Sequence, residues 1–172
     1  MICMRKKTKS VHKLLAGLLA VVLLIPAGIS PVRATETMTA TVTNVTTMNH
    51  EEETCGVFTL DNGKYYGLCA HVGLQNPSTG STVSMTPASP ALRALAYEAS
   101  KQNLFYWSDK TVWNLHEAAS EIYSGVHNGV LMNQARNFIS RANAVSEGKA
   151  LDGSDIPNSF GAWITSGGNG AQ

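Results

Sequence analysis

The sequence predicts an α+β domain made of antiparallel strands with a hairpin, an insertion of three helices and a closing strand. Three observations predict this class. Alternating and turn-bounded runs indicate strands in the first half of the domain. Three segments with apolar residues at helical spacing follow them. An aromatic and β-branched run then ends the domain.

A secretory signal peptide is expected at residues 1–34, ahead of the domain. Five cations open it, residues 14–25 form its apolar stretch, and cleavage is expected after Ala34. The apolar stretch is too short to cross a bilayer, which takes about 20 helical residues. No later segment is apolar enough either. We therefore expect an exported protein of the Gram-positive cell surface or cell wall, without a membrane span once the leader is removed.

Removal of the leader reverses the net charge. The whole sequence has 13 Lys+Arg and 12 Asp+Glu, but six of the cations lie in residues 1–34. The mature chain keeps seven cations against twelve acids, a net charge of −5. Nucleic-acid binding requires a basic surface, so no nucleic-acid partner is expected. Residues 35–165 form the domain, and residues 166–172 are a flexible tail or the start of a linker to a missing C-terminal region. A monomeric module of a longer protein is expected.

The strands are predicted from alternation and from one turn. Residues 38–43 alternate apolar residues with threonine, which is typical of a half-buried strand. Further on, Asn62-Gly63 separates two strand-like runs within residues 55–69, and both residues tolerate a positive φ, so a hairpin is expected there.

Two registers of this hairpin are possible. A three-residue loop puts Cys55 opposite Cys69 and gathers the apolar residues on one face. A two-residue loop puts Leu68 opposite Val57 and scatters them over both faces. The first register is expected, because a sheet with one buried face keeps its apolar residues together.

A loop is expected over residues 75–87, followed by the helices. Ser89 is the expected N-cap of the first helix, with Pro90 at its first position. The second helix is expected from Asp109 to Gly125, and the third from about Asn128 to Val145. Residues 160–164 are expected to form the closing strand. The residues predicted to face the core are Leu92, Leu95 and Ala99; Val112, Leu115 or His116, Ala119 and Ile122 or Tyr123; Leu131, Ala135, Phe138, Ala142 and Val145.

The mature chain has two cysteines, Cys55 and Cys69. Exported proteins meet no strong cytosolic reductant, and facing residues of a hairpin lie within disulfide range. One interpretation is therefore a structural wall-protein module with a Cys55–Cys69 disulfide. The other interpretation makes Cys69 a reactive thiol.

The surroundings of Cys69 resemble a known family. Residues 65–71 (Tyr-Tyr-Gly-Leu-Cys-Ala-His) and the Pro77-x-x-Gly80 turn that follows resemble the cysteine strand of the thioester domains of Gram-positive adhesins. Residues 115–123 resemble the segment that follows the Thr-Gln-x-Ala motif in those domains. The end of the sequence is similar to that of the thioester domains of surface proteins with VaFE repeats. The resemblance covers about residues 54–172 and rests on short motifs.

The resemblance implies a surface adhesion module that interacts with a host or matrix protein. In that family a glutamine side chain acylates the cysteine, and the thioester captures an amine. Here His116 stands at the position of that glutamine, so covalent capture requires another partner. The candidates are Gln134, at the border of the third helix's apolar stripe, and Gln75, close to Cys69 in sequence. A degenerate domain that binds without a covalent bond is the alternative.

His116 itself has two interpretations. On the apolar side of its helix it is first a core histidine, hydrogen-bonded to backbone. Paired with Cys69, it becomes the general base of a secreted cysteine hydrolase or acyl transferase, in which both residues are catalytic. His116-Glu117 lacks the second histidine of a zinc protease motif, because position 120 is serine. The sequence therefore predicts neither a metal site nor a cofactor.

Overall fold

The computed structural model describes residues 21–24, 36–50, 53–71, 76–101, 109–127 and 129–166. Five strands form a curled antiparallel sheet, and three helices pack beside it, which confirms the α+β class. The strands of this sheet are β2 (Met38–His50), β3 (Glu53–Leu60), β4 (Tyr65–Cys69), β5 (Thr82–Pro87) and β6 (Trp163–Ser166). Their order across the sheet is β4-β3-β2-β5-β6.

A short additional strand, β1 (Val21–Leu24), lies between the two ends of this sheet. It runs antiparallel to β4, where Val21 pairs with Cys69, and antiparallel to β6, where Val22 pairs with Ile164. The sheet thereby closes on itself. The strand belongs to the segment expected to be the apolar part of the signal peptide, and its pairing with the domain was not predicted from the sequence.

The helices are α1 (Pro90–Ser100), α2 (Asp109–Ser124) and α3 (Asn133–Ala144). The hydroxyl of Ser89 accepts from the Leu92 amide at 3.4 Å, as expected of an N-cap. Helix α3 begins five residues later than predicted, because Gly129 adopts a positive φ and Met132 is extended. Most of the predicted stripe residues are buried, whereas Leu131, Val145, Ile122 and Tyr123 are only partly buried.

The expected register of the hairpin is wrong. Val57 pairs with Leu68 and Phe58 with Gly67, so Cys55 does not lie opposite Cys69. Residues 61–64 form the turn, with positive φ at Asp61, Asn62 and Gly63. The apolar residues do not identify the register because this hairpin is buried on both faces, so an apolar side chain is buried on either face.

The expected loop over residues 75–87 is wrong for its second half, where β5 runs from Thr82 to Pro87. Val83 and Met85 alternate inward between exposed or half-buried neighbours, and β5 pairs with both β2 and β6. The closing strand is shifted, since β6 starts at Trp163 instead of residue 160. Within the described residues, no helix has the length and apolar character needed to cross a membrane.

Candidate functional site

A hydrogen bond connects helix α2 to the cysteine strand, β4. His116 Nδ1 lies 2.7 Å from the backbone carbonyl oxygen of Cys69, the last residue of β4. Because a carbonyl oxygen only accepts, Nδ1 carries the hydrogen and donates it, which leaves Nε2 of the neutral ring as an acceptor. Both residues are buried, with 2% of each exposed. The structure therefore brings together two predicted site residues that lie 47 positions apart.

The environment of His116 keeps its ring uncharged. Burial lowers the pKa of His116 below the ordinary 6.5, and nearby His71 lowers it too. The hydrogen bond to the Cys69 carbonyl acts in the opposite direction. The Trp113 ring packs against the imidazole, with 5.3 Å between the ring centroids. Neutral imidazole is the form that this apolar environment favours.

Cys55 and Cys69 are both free and buried. Cys69 Sγ donates to the carbonyl oxygen of His71 at 3.4 Å, and Cys55 Sγ lies 3.8 Å from that of Gly56. Burial raises the pKa of the Cys69 thiol. Burial also raises the pKa of the Cys55 thiol well above its usual value, and the nearby Cys69 and Glu117 raise this pKa further. Both side chains are thus held as thiols, whereas nucleophilic cysteines depend on a lowered pKa.

Gln134, one of the two candidate glutamines, does not lie at Cys69. Gln134 Oε1 accepts from Asn114 Nδ2 at 3.1 Å. Asn114 precedes His116 by two residues in α2, a rotation of about 200° around a helix, so its side chain leaves the helix on the side away from Cys69. Gln134 therefore belongs to the α2–α3 contact. Gln75 lies outside the described residues.

Three residues near the cysteines were missed by sequence reasoning. Glu117 is a buried carboxyl, with 3% exposed, close enough to Cys55 to affect its pKa. Because Val57 pairs with Leu68, the same register places Gly56 opposite Cys69. A Cβ at Gly56 would lie only 2.6 Å from Cγ of Asn76, so the glycine makes room for the Asn76 amide. A lone glycine within a strand run was the available signal, since it often marks a close approach.

The site's chemical capacity follows from these positions. Within the residues that the structure describes, no group of three or more histidine, cysteine or acidic side chains is arranged to hold a metal. A neutral imidazole donates to a backbone carbonyl next to a protonated thiol. This arrangement joins α2 to β4 and lacks a thiolate–imidazolium pair, which a cysteine nucleophile requires.

Comparisons with known proteins identify no relative. No family model, no curated protein and no solved structure matches the chain.

Proposed function

We propose that the mature chain is an exported cell-surface adhesion module of the thioester-domain type, in which His116 replaces the acyl-donating glutamine. It holds a host or matrix protein without a covalent bond. The observation that carries this proposal is the 2.7 Å hydrogen bond from His116 Nδ1 to the Cys69 carbonyl. Residue 116 is the position that the resemblance assigns to the glutamine, and a glutamine acts only at near-contact distance from the cysteine.

The thiol and imidazole favour this binding role over a secreted cysteine hydrolase. General-base activation requires an imidazole that accepts the thiol proton, and burial opposes charge on both groups. His116 Nδ1 donates to a backbone carbonyl, which leaves Nε2 as the only ring atom that can accept a proton. Ala118 stands at the position of the alanine that ends the Thr-Gln-x-Ala motif of the family. Three of the six residues in the segment 115–120 are small, namely Ala118, Ala119 and Ser120.

The proposal is tested by restoring the glutamine. In the variant His116→Gln, the Cys69 sulfur attacks the glutamine side-chain carbonyl, the carbon–nitrogen bond breaks, and ammonia leaves with the thiol proton. The intact mass is expected to fall by about 17 Da, and methylamine is expected to add across the new bond. His116→Asn is the matched control, since its shorter side chain does not reach the sulfur. A folded His116→Gln variant of full mass contradicts the proposal.

The adhesive role has its own test. The mature chain is applied to immobilised extracellular-matrix proteins, and bound material is eluted under denaturing conditions. We expect saturable binding and recovery of the chain at its unmodified mass. Absence of binding to every matrix protein and to host cells contradicts the adhesive role. An adduct that survives denaturation contradicts the non-covalent mode.

A further inference from the structure

The position of β1 is the most informative feature that the proposed function leaves unused. Val21–Leu24 fits between β4 and β6 as an extended strand, pairing with residues 66–69 on one side and with Ile164 on the other. These residues lie within the expected leader. Removal of residues 1–34 therefore takes away one strand and leaves two facing edges, each with unpaired backbone groups.

We propose that this vacated position, the β1 slot, is the ligand site of the mature domain. It receives one extended segment of a partner protein, running antiparallel to both β4 and β6. The inference rests on the proposed export of the chain, because leader removal is what empties the slot. An extended peptide satisfies both edges at once, whereas an ordinary sheet edge offers pairing on one side only.

A direct contact between β4 and β6 spans the slot without involving β1. Tyr65 on β4 and Trp163 on β6 touch edge to face, with ring centroids 5.8 Å apart. β4 and β6 are not adjacent strands, so the two rings meet in the interior of the curled sheet. Both side chains are almost fully buried, and Trp163 has no exposed surface. This contact is expected to keep β4 and β6 about two strand spacings apart, which is the width an inserted strand needs.

The residues that flank the slot define the chemistry of the segment. Residues 65–69 of β4 and residues 163–166 of β6 contain no charged side chain. A charged residue on the incoming strand would find no partner in them, so an uncharged segment is expected. Gly67 faces the middle of the slot, in register with position 23 of β1. Because glycine has no side chain, it does not obstruct a large apolar residue at that position of the partner segment.

The slot also connects binding of the partner segment to the candidate site, because β4 is part of both. Cys69 pairs with the first residue of β1, and its carbonyl accepts from His116. A bound segment therefore runs along the strand that α2 holds in place. In the thioester family the cysteine itself captures the target, whereas here β4 presents its backbone beside a protonated thiol.

Hydrogen exchange of the processed, secreted chain tests the slot, with a synthetic peptide of residues 19–26 as the probe. Without peptide, the β4 amides that point away from β3 are expected to exchange at least about 100-fold faster than those of Val57–Leu60 in β3, which pair with both β2 and β4. Saturating peptide is expected to slow them to the rate of these β3 amides. A peptide with Val22→Pro lacks one backbone donor and is expected to give no protection. A peptide with Leu23→Gly is expected to bind about tenfold more weakly.

Two results overturn the proposal. If the β4 amides are already protected in the processed chain at all concentrations, the sheet has closed without an added strand. If protection grows with the concentration of the chain itself, a second copy fills the slot. N-terminal sequencing of the same sample distinguishes these failures from a failure of the proposed export. If the chain still contains Val21–Leu24, the leader has not been removed and β1 itself occupies the slot.

Discussion

The imidazole of His116 and the backbone carbonyl of Cys69 are joined by a 2.7 Å hydrogen bond inside the domain. The bond fixes the ring tautomer and gives a buried carbonyl oxygen a partner at the end of β4. A buried carbonyl without a partner costs about 1–3 kcal/mol. The bond therefore couples the position of α2 to the end of β4, and several measurable properties depend on it.

Removal of the imidazole should destabilise the domain. His116→Ala is expected to lower the free energy of unfolding by about 2–4 kcal/mol, because it leaves a cavity and an unpaired carbonyl. Urea denaturation measures this change. His127→Ala is the matched control: its ring is paired with Glu121 at the surface, so a change within about 0.5 kcal/mol is expected. Equal effects of the two substitutions would contradict the structural role of His116.

Stability should fall in mildly acidic solution. The folded-state pKa of His116 is lowered by burial, whereas the unfolded chain titrates near the ordinary 6.5. Below that pH the unfolded state binds a proton that the folded state does not, so the free energy of unfolding decreases as pH falls. Denaturation curves between pH 7.5 and about 5 measure the slope. His116→Asn removes the titrating group without forming a thioester and should flatten the curve; an unchanged slope in that variant would assign the effect elsewhere.

The hairpin register can be read by cross-linking. Thr59 pairs with Tyr66, so Thr59→Cys with Tyr66→Cys is expected to form a disulfide in a background with Cys55→Ala and Cys69→Ala. Thr59→Cys with Tyr65→Cys is the control, because adjacent residues of a strand point to opposite faces. After proteolysis of the chain between the strands, non-reducing electrophoresis shows for each pair whether a disulfide still joins the two fragments. Cross-linking of the control pair alone would restore the register that puts Cys55 opposite Cys69.

The close approach at Gly56 should be visible in a double-mutant cycle. Gly56→Ala is expected to cost about 1–3 kcal/mol, because its Cβ would lie 2.6 Å from atoms of Asn76 and Phe58. Adding Asn76→Ala removes one of the obstructing groups and should recover part of that loss. The cycle is measured by urea denaturation, and a coupling energy above about 0.5 kcal/mol is expected. Strict additivity would show that Asn76 does not fill the space beside Gly56.

The sequence predicted elements better than it predicted their pairing. The hairpin at Asn62-Gly63 and the start of α1 at Ser89 rest on local turn and cap chemistry, and both are present. The register failed because burial on both faces removes the information that alternation carries. Strand β5 was overlooked although Val83 and Met85 alternate, since its other residues are typical of loops.

The candidate site was foreseen only in part. His116 and Cys69 were paired through a family resemblance, since no local pattern connects residues 47 positions apart. The buried Glu117 and the Asn76–Gly56 contact depend on tertiary packing and gave no signal beyond a glycine in a strand. Gln134 bordered an apolar stripe, yet its amide pairs with Asn114 at the helix contact.

The intact mass of the processed wild-type chain, before and after methylamine, tests the central claim most directly. Two free thiols and a histidine at position 116 predict the full mass of the reduced chain, unchanged by methylamine or by reductant. A deficit of about 17 Da that methylamine reverses would reveal a Cys–Gln thioester and contradict non-covalent binding. A deficit of about 2 Da that reductant removes would reveal a Cys55–Cys69 disulfide and contradict the free thiols.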